Sequence, residues 1–232
     1  DWMAKRDYIR ANDVRPSPMV EKTNMKISQN QIIEQIESIV RPQYNKLRQW
    51  THGWTHIDNV QRNCREISYL EKESIFYSRI CGYLHDLGRI TEQEMNIIQK
   101  DCKSIGHAKY SIPLADAILK GLPISAEKRD NILEAISVHS DKEYNGNNIL
   151  CKILMDADKG DGLGSWGMIR GICFLIYPNH LEIKESDVNI HQITSQIITD
   201  SKKDNIEILY DIAKWQYEYY DMLQLKSSRD LF

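Results

Sequence analysis

The chain has 232 residues, of which 30 are basic and 33 acidic, and its formal net charge is −3. This length can bury a sizeable core, so we expect one large domain, alone or with appendages. The small negative charge argues against a surface that coats nucleic acid and gives no sign of binding to an anionic membrane, although a local basic pocket is compatible with it. Its apolar runs are too short to span a membrane, and no signal-peptide pattern occurs.

The five cysteines indicate a reducing compartment. They are spread along the chain, are odd in number and form no Cys-x-x-Cys pair. We therefore expect reduced, mostly buried thiols in a cytoplasmic protein. The opening Asp1-Trp2-Met3 is not typical of a natural N-terminus, which suggests a fragment of a longer chain, and a further domain or a homo-oligomer is compatible with the sequence.

Residues 1–27 are polar, carry Pro16 and Pro18, and are predicted to form an N-terminal arm or linker. A capping box at Ser28 and Gln31 then predicts a helix start, and the isoleucines that follow form one apolar stripe. Pro42 is expected to end or kink this helix.

A second helix is predicted to carry His56, Val60, Cys64 and Ile67 on one face. A third should run from about 74 to 86, with Gly88 beyond it as a left-handed stop. Further helices are predicted near 106–120, 125–140, 148–159, 165–176 and 204–225. Alternating strand patterns are almost absent, so the fold class is an all-α bundle. We predict one helical domain over 28–232, with its core at about 50–175 and a C-terminal helical extension at 190–226.

The chemistry is predicted to lie in a scattered series of histidines and aspartates. Burying such groups without partners is costly, and a metal ion supplies the missing partner. Imidazole and carboxylate together suit Mn, Fe, Co, Ni or Zn, and Mg is possible where carboxylates dominate. The series consists of His56, His85, Asp86, His107, His139 and Asp156.

Taken singly, each of these residues also has an ordinary structural interpretation. A histidine such as His56 on an apolar helix face is more often a hydrogen-bonded core residue than a ligand. His85 could interact with the dipole of the helix that it ends, but Asp86 is unfavourable at a helix C-terminus and needs a nearby cation. Asp156 follows three apolar residues, which disfavours a solvated position.

Three motifs resemble those of the HD-domain metal-dependent phosphohydrolase superfamily, over about residues 50–175. They are Thr55-His56-Ile57-Asp58-Asn59-Val60, Gly82-Tyr83-Leu84-His85-Asp86-Leu87-Gly88 and Met155-Asp156-Ala157-Asp158-Lys159. The stretch that runs from Asp156 to Gly164, together with His52 ahead of Trp54-Thr55-His56, is similar to the stand-alone bacterial HD hydrolases.

The resemblance implies that His56, His85, Asp86 and Asp156 bind one divalent metal ion. His107 and His139 match the extra histidines of two-metal HD proteins, which include cyclic-dinucleotide phosphodiesterases with a GYP extension, and Asp86 would then bridge both ions. Two departures weaken a cyclic-dinucleotide role: Arg89 stands where those proteins usually have lysine, and no Gly-Tyr-Pro stretch follows His139.

The implied activity is hydrolysis of a nucleotide or other small phosphoester, because a metal ion can lower the pKa of bound water from about 15.7 to about 7. His52 and Asp58 are candidates for the general acid, and Arg89, Lys159 and Arg170 for binding substrate phosphate, although each is also compatible with an ordinary surface or supporting role. The alternatives are a phosphodiesterase acting on a cyclic nucleotide or a single strand, and a non-catalytic metal- or nucleotide-binding regulatory domain of a larger protein.

The last predicted helix carries four aromatic residues that could be mistaken for a nucleotide-stacking cluster. At helical spacing they cannot all share one face, so core and interface packing is the favoured interpretation. They are Trp215, Tyr217, Tyr219 and Tyr220. The glycines at 160–164 are predicted to form a turn between two helices rather than a phosphate loop.

Overall fold

The computed structural model describes residues 27–95, 106–176 and 205–232. Within these ranges the chain is helical and has no strand, which confirms the predicted all-α class. Almost all of the predicted N-terminal arm lies outside the described residues, as does 190–204 of the predicted C-terminal extension. None of the described helices is long and apolar enough to cross a membrane.

The helices closely follow the predicted ranges, apart from two short additional helices, one after His85-Asp86 and one at the C-terminal end of the described chain. A single 3₁₀ turn, Trp50–His52, precedes the second helix. In chain order the helices are α1 (Gln29–Tyr44), α2 (Trp54–Glu71), α3 (Ile75–Leu84), α4 (Gly88–Glu94), α5 (Gly106–Lys120), α6 (Ala126–Val138), α7 (Ile149–Asp161), α8 (Gly164–Ile176), α9 (Asn205–Asp221) and α10 (Lys226–Leu231).

Helix α1 begins at the predicted capping box. The Ser28 hydroxyl accepts from the Gln31 backbone N–H at 3.2 Å, and the Gln31 side chain accepts from the Ser28 N–H at 2.8 Å. Pro42 lies inside α1 and does not end it, since the helix continues to Tyr44. Tyr44 is buried, and its hydroxyl donates to the Tyr83 carbonyl at 3.1 Å, so a tertiary contact holds the last turn.

Helix α2 lies at the centre of the fold, packed against α3 and α7. His56, Val60, Cys64 and Ile67 are all buried, which confirms the predicted single face. Helix α3 also contacts α1, α6 and α7, while α4 and α6 both pack against α5. The core therefore lies among α1–α3 and α5–α7, and the short α4 covers one end.

Gly88 is not the left-handed stop that we predicted. It is the first residue of α4, and the one described glycine with a positive φ is Gly164, at 67°. The reason for a glycine here is space, because a Cβ at position 88 would lie 1.9 Å from the His107 carbonyl oxygen. Gly88 thereby lets α4 approach the start of α5, and its N–H donates to Ser111 Oγ at 2.8 Å.

The C-terminal helices close over one side of the bundle. Helix α9 packs against α8 and α7, and α10 packs against α2 and α7. Cys64, Cys81 and Cys151 are buried free thiols, as predicted, while Cys102 and the Cys173 side chain lie outside the described part of the structure.

Candidate metal centre

Five of the six residues in the predicted series come together at one buried point. His56 lies in the first turn of α2, His85 and Asp86 directly follow α3, His107 is the second residue of α5, and His139 follows α6. Each of these residues is at most 5% exposed. Helix ends that are far apart in sequence thus deliver polar side chains to one place in the core.

Asp86 lies between two groups of imidazoles. Its Oδ2 is 3.7 Å from His56 Nε2 and 3.8 Å from His85 Nε2. Its Oδ1 is 3.4 Å from His107 Nε2 and 3.7 Å from His139 Nε2. Oδ1 is buried and has no hydrogen-bond partner among the described residues. One carboxylate therefore presents one oxygen to each group, which is the arrangement expected of a bridging ligand.

Backbone and carboxylate acceptors fix the tautomers of three of these histidines. The Nδ1 atom of His85 lies 2.9 Å from the Gly82 carbonyl, that of His139 lies 2.7 Å from the Ile136 carbonyl, and that of His56 lies 2.7 Å from Asp161 Oδ2. Because these partners only accept, Nδ1 carries a proton, and in the neutral ring Nε2 is the atom with the free lone pair.

The Nε2 atoms of four histidines meet in two pairs. His56 Nε2 and His85 Nε2 are 3.3 Å apart, and His107 Nε2 lies 3.1 Å from His139 Nε2 and 3.0 Å from Ser140 Oγ. Burial lowers the pKa of His85 to about 4 and that of His107 to about 3, so neither imidazole is protonated near neutral pH. Where two Nε2 atoms both act as acceptors they cannot bond to each other, and a cation between them would satisfy both lone pairs.

The carboxylate that α7 contributes is Asp158, and not the predicted Asp156. Asp158 Oδ1 is 3.4 Å from His56 Nε2 and 3.9 Å from His85 Nε2. The Asp156 carboxylate instead accepts from the backbone N–H groups of Gln224, at 2.8 and 3.1 Å, and Leu225, at 2.8 Å. Residues two apart on a helix are separated by about 200° around its axis, so only one of the pair can face the histidines. We therefore replace Asp156 by Asp158 in the candidate ligand set.

The spacing of these donor atoms fits a divalent metal ion. Ligand atoms about 2.1 Å from one ion are about 3.0 Å apart at right angles and about 3.4 Å apart at tetrahedral angles. The shortest separations here, 3.1–3.4 Å, lie close to these values. Two groups of three side chains have potential ligand atoms that all lie within 4.8 Å of one another: His56, His85 and Asp158, and His85, Asp86 and His139.

A cavity of about 450 Å³ opens beside this cluster. Asp86, His107, His139 and Asp158 line one part of it. Basic, acidic and aromatic side chains line the rest of it. Those used in the argument below are Arg89, Lys142, Lys159, Arg170, Asp211, Trp215, Glu218 and Tyr219.

Residues 53–162 match the family model of the HD domain. This part of the chain is an HD domain.

Comparison with solved structures gives the same fold over most of the chain. YpgQ from Bacillus subtilis, solved in complex with ADP, matches with a TM-score of 0.56 and 19% identity, covering 88% of this chain and 86% of that one. A protein from an uncultured Thermotogales bacterium, described as a predicted HD superfamily hydrolase, matches with a TM-score of 0.51 and 21% identity, covering 80% of this chain and 92% of that one. The chain thus has the fold of HD superfamily hydrolases. No curated protein matches it.

All three predicted phosphate-binding residues line the cavity of this HD domain. Arg89 Nε lies 3.5 Å from Asp86 Oδ2, and its Nη1 lies 3.3 Å from Glu92. Arg170 pairs with Asp161. Lys159 Nζ donates to the Met155 carbonyl at 3.4 Å, and burial lowers the pKa of this lysine.

The two candidates for the general acid are separated by the fold. His52 lines the cavity, and its Nε2 lies 3.4 Å from Arg89 Nη2. Burial, followed by the charge of Arg89, holds the pKa of His52 well below its usual value, so the imidazole is neutral and accepts from Arg89. Asp58 faces a different cavity, where it contacts Arg62 at 2.5 Å and accepts from Gln61 at 2.9 Å. Asp58 is therefore not placed to reach the metal-binding cluster.

Sequence reasoning missed Asp161. Its carboxylate accepts from His56 Nδ1, from Asn59 Nδ2 at 2.8 Å and from Arg170. Burial alone would raise the pKa of Asp161, but Arg170, His56 and Asn59 together hold it below its usual value. The signal was present, since Asp161 is the third aspartate of a run spaced two and three residues apart on a helix with an apolar face. We had assigned that position to a glycine turn.

Proposed function

We propose that this HD domain binds two divalent metal ions and uses them to hydrolyse a phosphoester or phosphoanhydride bond of a nucleotide or another small phosphorylated molecule. The observation that carries the proposal is the convergence of imidazole Nε2 atoms on both sides of the Asp86 carboxylate, each pair separated by 3.3 Å or less. Such a buried cluster of imidazoles and carboxylates is costly unless a cation is bound there.

The proposed ligands form two sets that share Asp86. His56, His85, Asp86 and Asp158 would hold one ion, and Asp86, His107 and His139 would hold the other. When bound, the metal ions would lower the pKa of water and offset negative charge on the phosphoryl group. The donor set suits Mn, Fe, Co, Ni, Zn or Mg and does not select among them.

The basic residues of the cavity would bind the phosphate oxygens of an anionic substrate. Arg89 and Arg170 are only 10% and 13% exposed, and each is held by an aspartate, Asp86 and Asp161 respectively. Guanidinium groups fixed in this way can donate to phosphate oxygens without first losing much side-chain freedom. Lys159 adds an ammonium group on the helix that also carries Asp158. His52 would position Arg89 rather than donate a proton, because its neutral Nε2 already accepts from that residue.

A nucleotide is the favoured substrate class. The cavity volume of about 450 Å³ suits a small ligand rather than an extended strand. The cavity combines cationic and aromatic side chains, which a base bearing phosphates can use together. The similar YpgQ structure contains ADP, which supports this choice.

The test is metal content by elemental analysis of protein purified without chelator, followed by a hydrolysis screen. Wild-type protein is compared with His107→Ala and His139→Ala. We expect about two ions per chain in the wild type and about one in each variant. The screen covers nucleoside mono-, di- and triphosphates, p-nitrophenyl phosphate, bis-p-nitrophenyl phosphate and a short single-stranded oligonucleotide.

The outcomes separate the alternatives. Hydrolysis of nucleotides that depends on added metal supports the proposal. Hydrolysis confined to the diester and the oligonucleotide would replace it with a phosphodiesterase. Failure to bind metal even after addition of Mn would overturn it in favour of a regulatory domain, whereas one ion unchanged in both variants would restrict the centre to a single metal.

A further inference from the structure

One face of α9 is turned toward the cavity. The residues of α9 and the turn after it that line the cavity lie at intervals of one, three and four positions, which is the pattern of a single helical face. Tyr217 and Tyr220 lie off this face and are 70% and 41% exposed. Tyr210 also lies off this face, so two of the five aromatic residues of α9 line the cavity and three do not. The lining residues are Asp211, Ile212, Trp215, Glu218, Tyr219 and Met222.

Trp215 and Tyr219 form a supported aromatic pair, which we call the aromatic wall. Their ring centroids are 4.5 Å apart with a 50° tilt. A Cβ at Gly171 would lie 3.0 Å from the Trp215 ring, and a Cβ at Gly162 would lie 2.6 Å from the Tyr219 ring. Trp215 therefore packs directly on the backbone of α8, and Tyr219 packs on the backbone just beyond the end of α7. Helix α7 is the helix that carries the candidate ligand Asp158.

Charge is divided between the two sides of the cavity. The basic lining residues Arg89, Lys142, Lys159 and Arg170 all come from elements other than α9. The charged residues that α9 contributes, Asp211 and Glu218, are both acidic. A ligand with phosphates at one end would be repelled from α9 and attracted toward the arginines and the metal-binding cluster. Its uncharged end would then meet the aromatic wall.

We propose that the aromatic wall, Trp215 and Tyr219, binds the base of a nucleotide by stacking and makes α9 the element that distinguishes nucleotides from other phosphorylated compounds. This inference rests on the proposed function, because it assigns the base end of the ligand whose phosphates the metal centre would bind. Stacking of a base on an aromatic side chain does not depend on hydrogen-bond readout, so the wall selects for a planar ring system and tolerates different bases.

The experiment is calorimetric titration of the Mn-loaded protein with two hydrolysis-resistant probes, α,β-methylene-ADP and methylenediphosphonate. The first probe has a base and the second does not. The proteins are wild type, Trp215→Ala, Trp215→Phe and, as a matched control on the exposed side of the same helix, Tyr217→Ala.

We expect wild-type protein to bind α,β-methylene-ADP more tightly than methylenediphosphonate. Trp215→Ala should lower the affinity for α,β-methylene-ADP about tenfold or more and change the affinity for methylenediphosphonate less than about twofold. Trp215→Phe retains a ring and should stay within about fivefold of wild type, which keeps the test valid if the alanine variant folds poorly. Tyr217→Ala should leave both affinities unchanged.

Equal affinity of wild-type protein for the two probes would overturn the role of the aromatic wall. So would a finding that Trp215→Ala and Trp215→Phe lower the affinity for both probes by the same factor. Neither result would contradict the proposed hydrolase activity, because the metal analysis and the hydrolysis screen test that activity separately. A wild type that holds metal and hydrolyses p-nitrophenyl phosphate, yet shows no preference for the probe with a base, would be a phosphatase without base recognition.

Discussion

Two aspartates on α7, separated by one alanine, have different surroundings and should respond differently to the same substitution. Asp158 lies beside His56 and His85, and Asp156 accepts three backbone hydrogen bonds from Gln224 and Leu225. We predict that Asp158→Asn lowers the metal content by about one ion per chain. Asp156→Asn should leave the metal content unchanged. Elemental analysis of the two proteins, prepared side by side, measures the difference.

The same pair predicts unequal effects on the free energy of unfolding. Removing the Asp156 acceptor leaves backbone N–H groups of the turn between α9 and α10 without their partner, so Asp156→Ala should lower the free energy of unfolding by about 1–3 kcal/mol. Asp158→Ala should cost less in chelated protein, since it relieves crowding of acceptors. Urea unfolding in the presence of chelator measures both free energies. In the metal analysis, a loss of metal from Asp156→Asn together with full metal content in Asp158→Asn would reverse our assignment of the ligand.

Asp161 should act on the metal through His56. Its carboxylate accepts from His56 Nδ1 at 2.7 Å and holds the ring with Nε2 turned inward. Loss of such an outer carboxylate typically costs about 10–100-fold in metal affinity. We expect Asp161→Ala to weaken metal binding by this factor in a competition titration with a coloured chelator. Asp58→Ala, which removes another arginine-paired aspartate facing a different cavity, should have no effect, and an equal loss there would indicate a general disturbance of α2.

These residues show what could and could not be predicted from sequence. His56, His85, Asp86, His107 and His139 are candidates because their order along the chain resembles that of the HD superfamily, since each residue taken singly also has an ordinary structural interpretation. The choice between Asp156 and Asp158 was not accessible, because both carboxylates follow apolar residues. Their faces are distinguished only by α10 and the preceding turn, which pack on one side of α7.

At the level of elements, the helices were predictable because caps and apolar stripes are local. Ser28, Ser74, Ser125 and Asn148 each cap the helix that follows by accepting a backbone N–H. The errors fell where distant contacts override local preference. Pro42 is carried inside α1 by the buried Tyr44, and Gly88 serves the approach of α4 to α5 rather than a left-handed turn.

The approach of α4 to α5 makes a prediction at this scale. A Cβ at position 88 would lie 1.9 Å from the His107 carbonyl oxygen and 2.8 Å from the Ser111 nitrogen. Gly88→Ala should therefore push the start of α5 away and move His107 from Asp86. We expect a loss of about 1–3 kcal/mol in the free energy of unfolding and a loss of about one metal ion per chain.

Gly121→Ala is the control for this substitution. A Cβ there would lie 3.5 Å from the nearest atom, the Ile118 carbonyl oxygen, which is an ordinary contact. Its stability should stay within about 0.5 kcal/mol of wild type, with full metal content. Chemical unfolding and elemental analysis on both variants decide the matter, and a Gly88→Ala protein that keeps its metal would show that α5 tolerates the shift.

At the scale of the whole molecule, the candidate ligands come from five separate helices or their ends. His56 belongs to α2, His85 and Asp86 follow α3, His107 begins α5, His139 ends α6, and Asp158 lies in α7. The contacts that assemble the centre therefore join residues from 56 to 158, and no short segment contains it. Bound metal would add a direct connection among all five elements.

Removal of metal should consequently be visible as a loss of global stability. A ligand present at about 100 times its dissociation constant stabilises the folded state by about 2.7 kcal/mol, provided that the unfolded chain does not bind it. For a chain of this size, such a change corresponds to a shift in Tm of about 5–10 °C. We expect scanning calorimetry to show a fall of this order on treatment with a chelator and recovery on addition of Mn. Asp86→Ala, which removes the carboxylate shared by both proposed ligand sets, should have a Tm that responds to neither. A wild-type Tm equally indifferent to chelator and Mn, in protein shown to bind metal, would mean that the five helices hold the site in place without the ions.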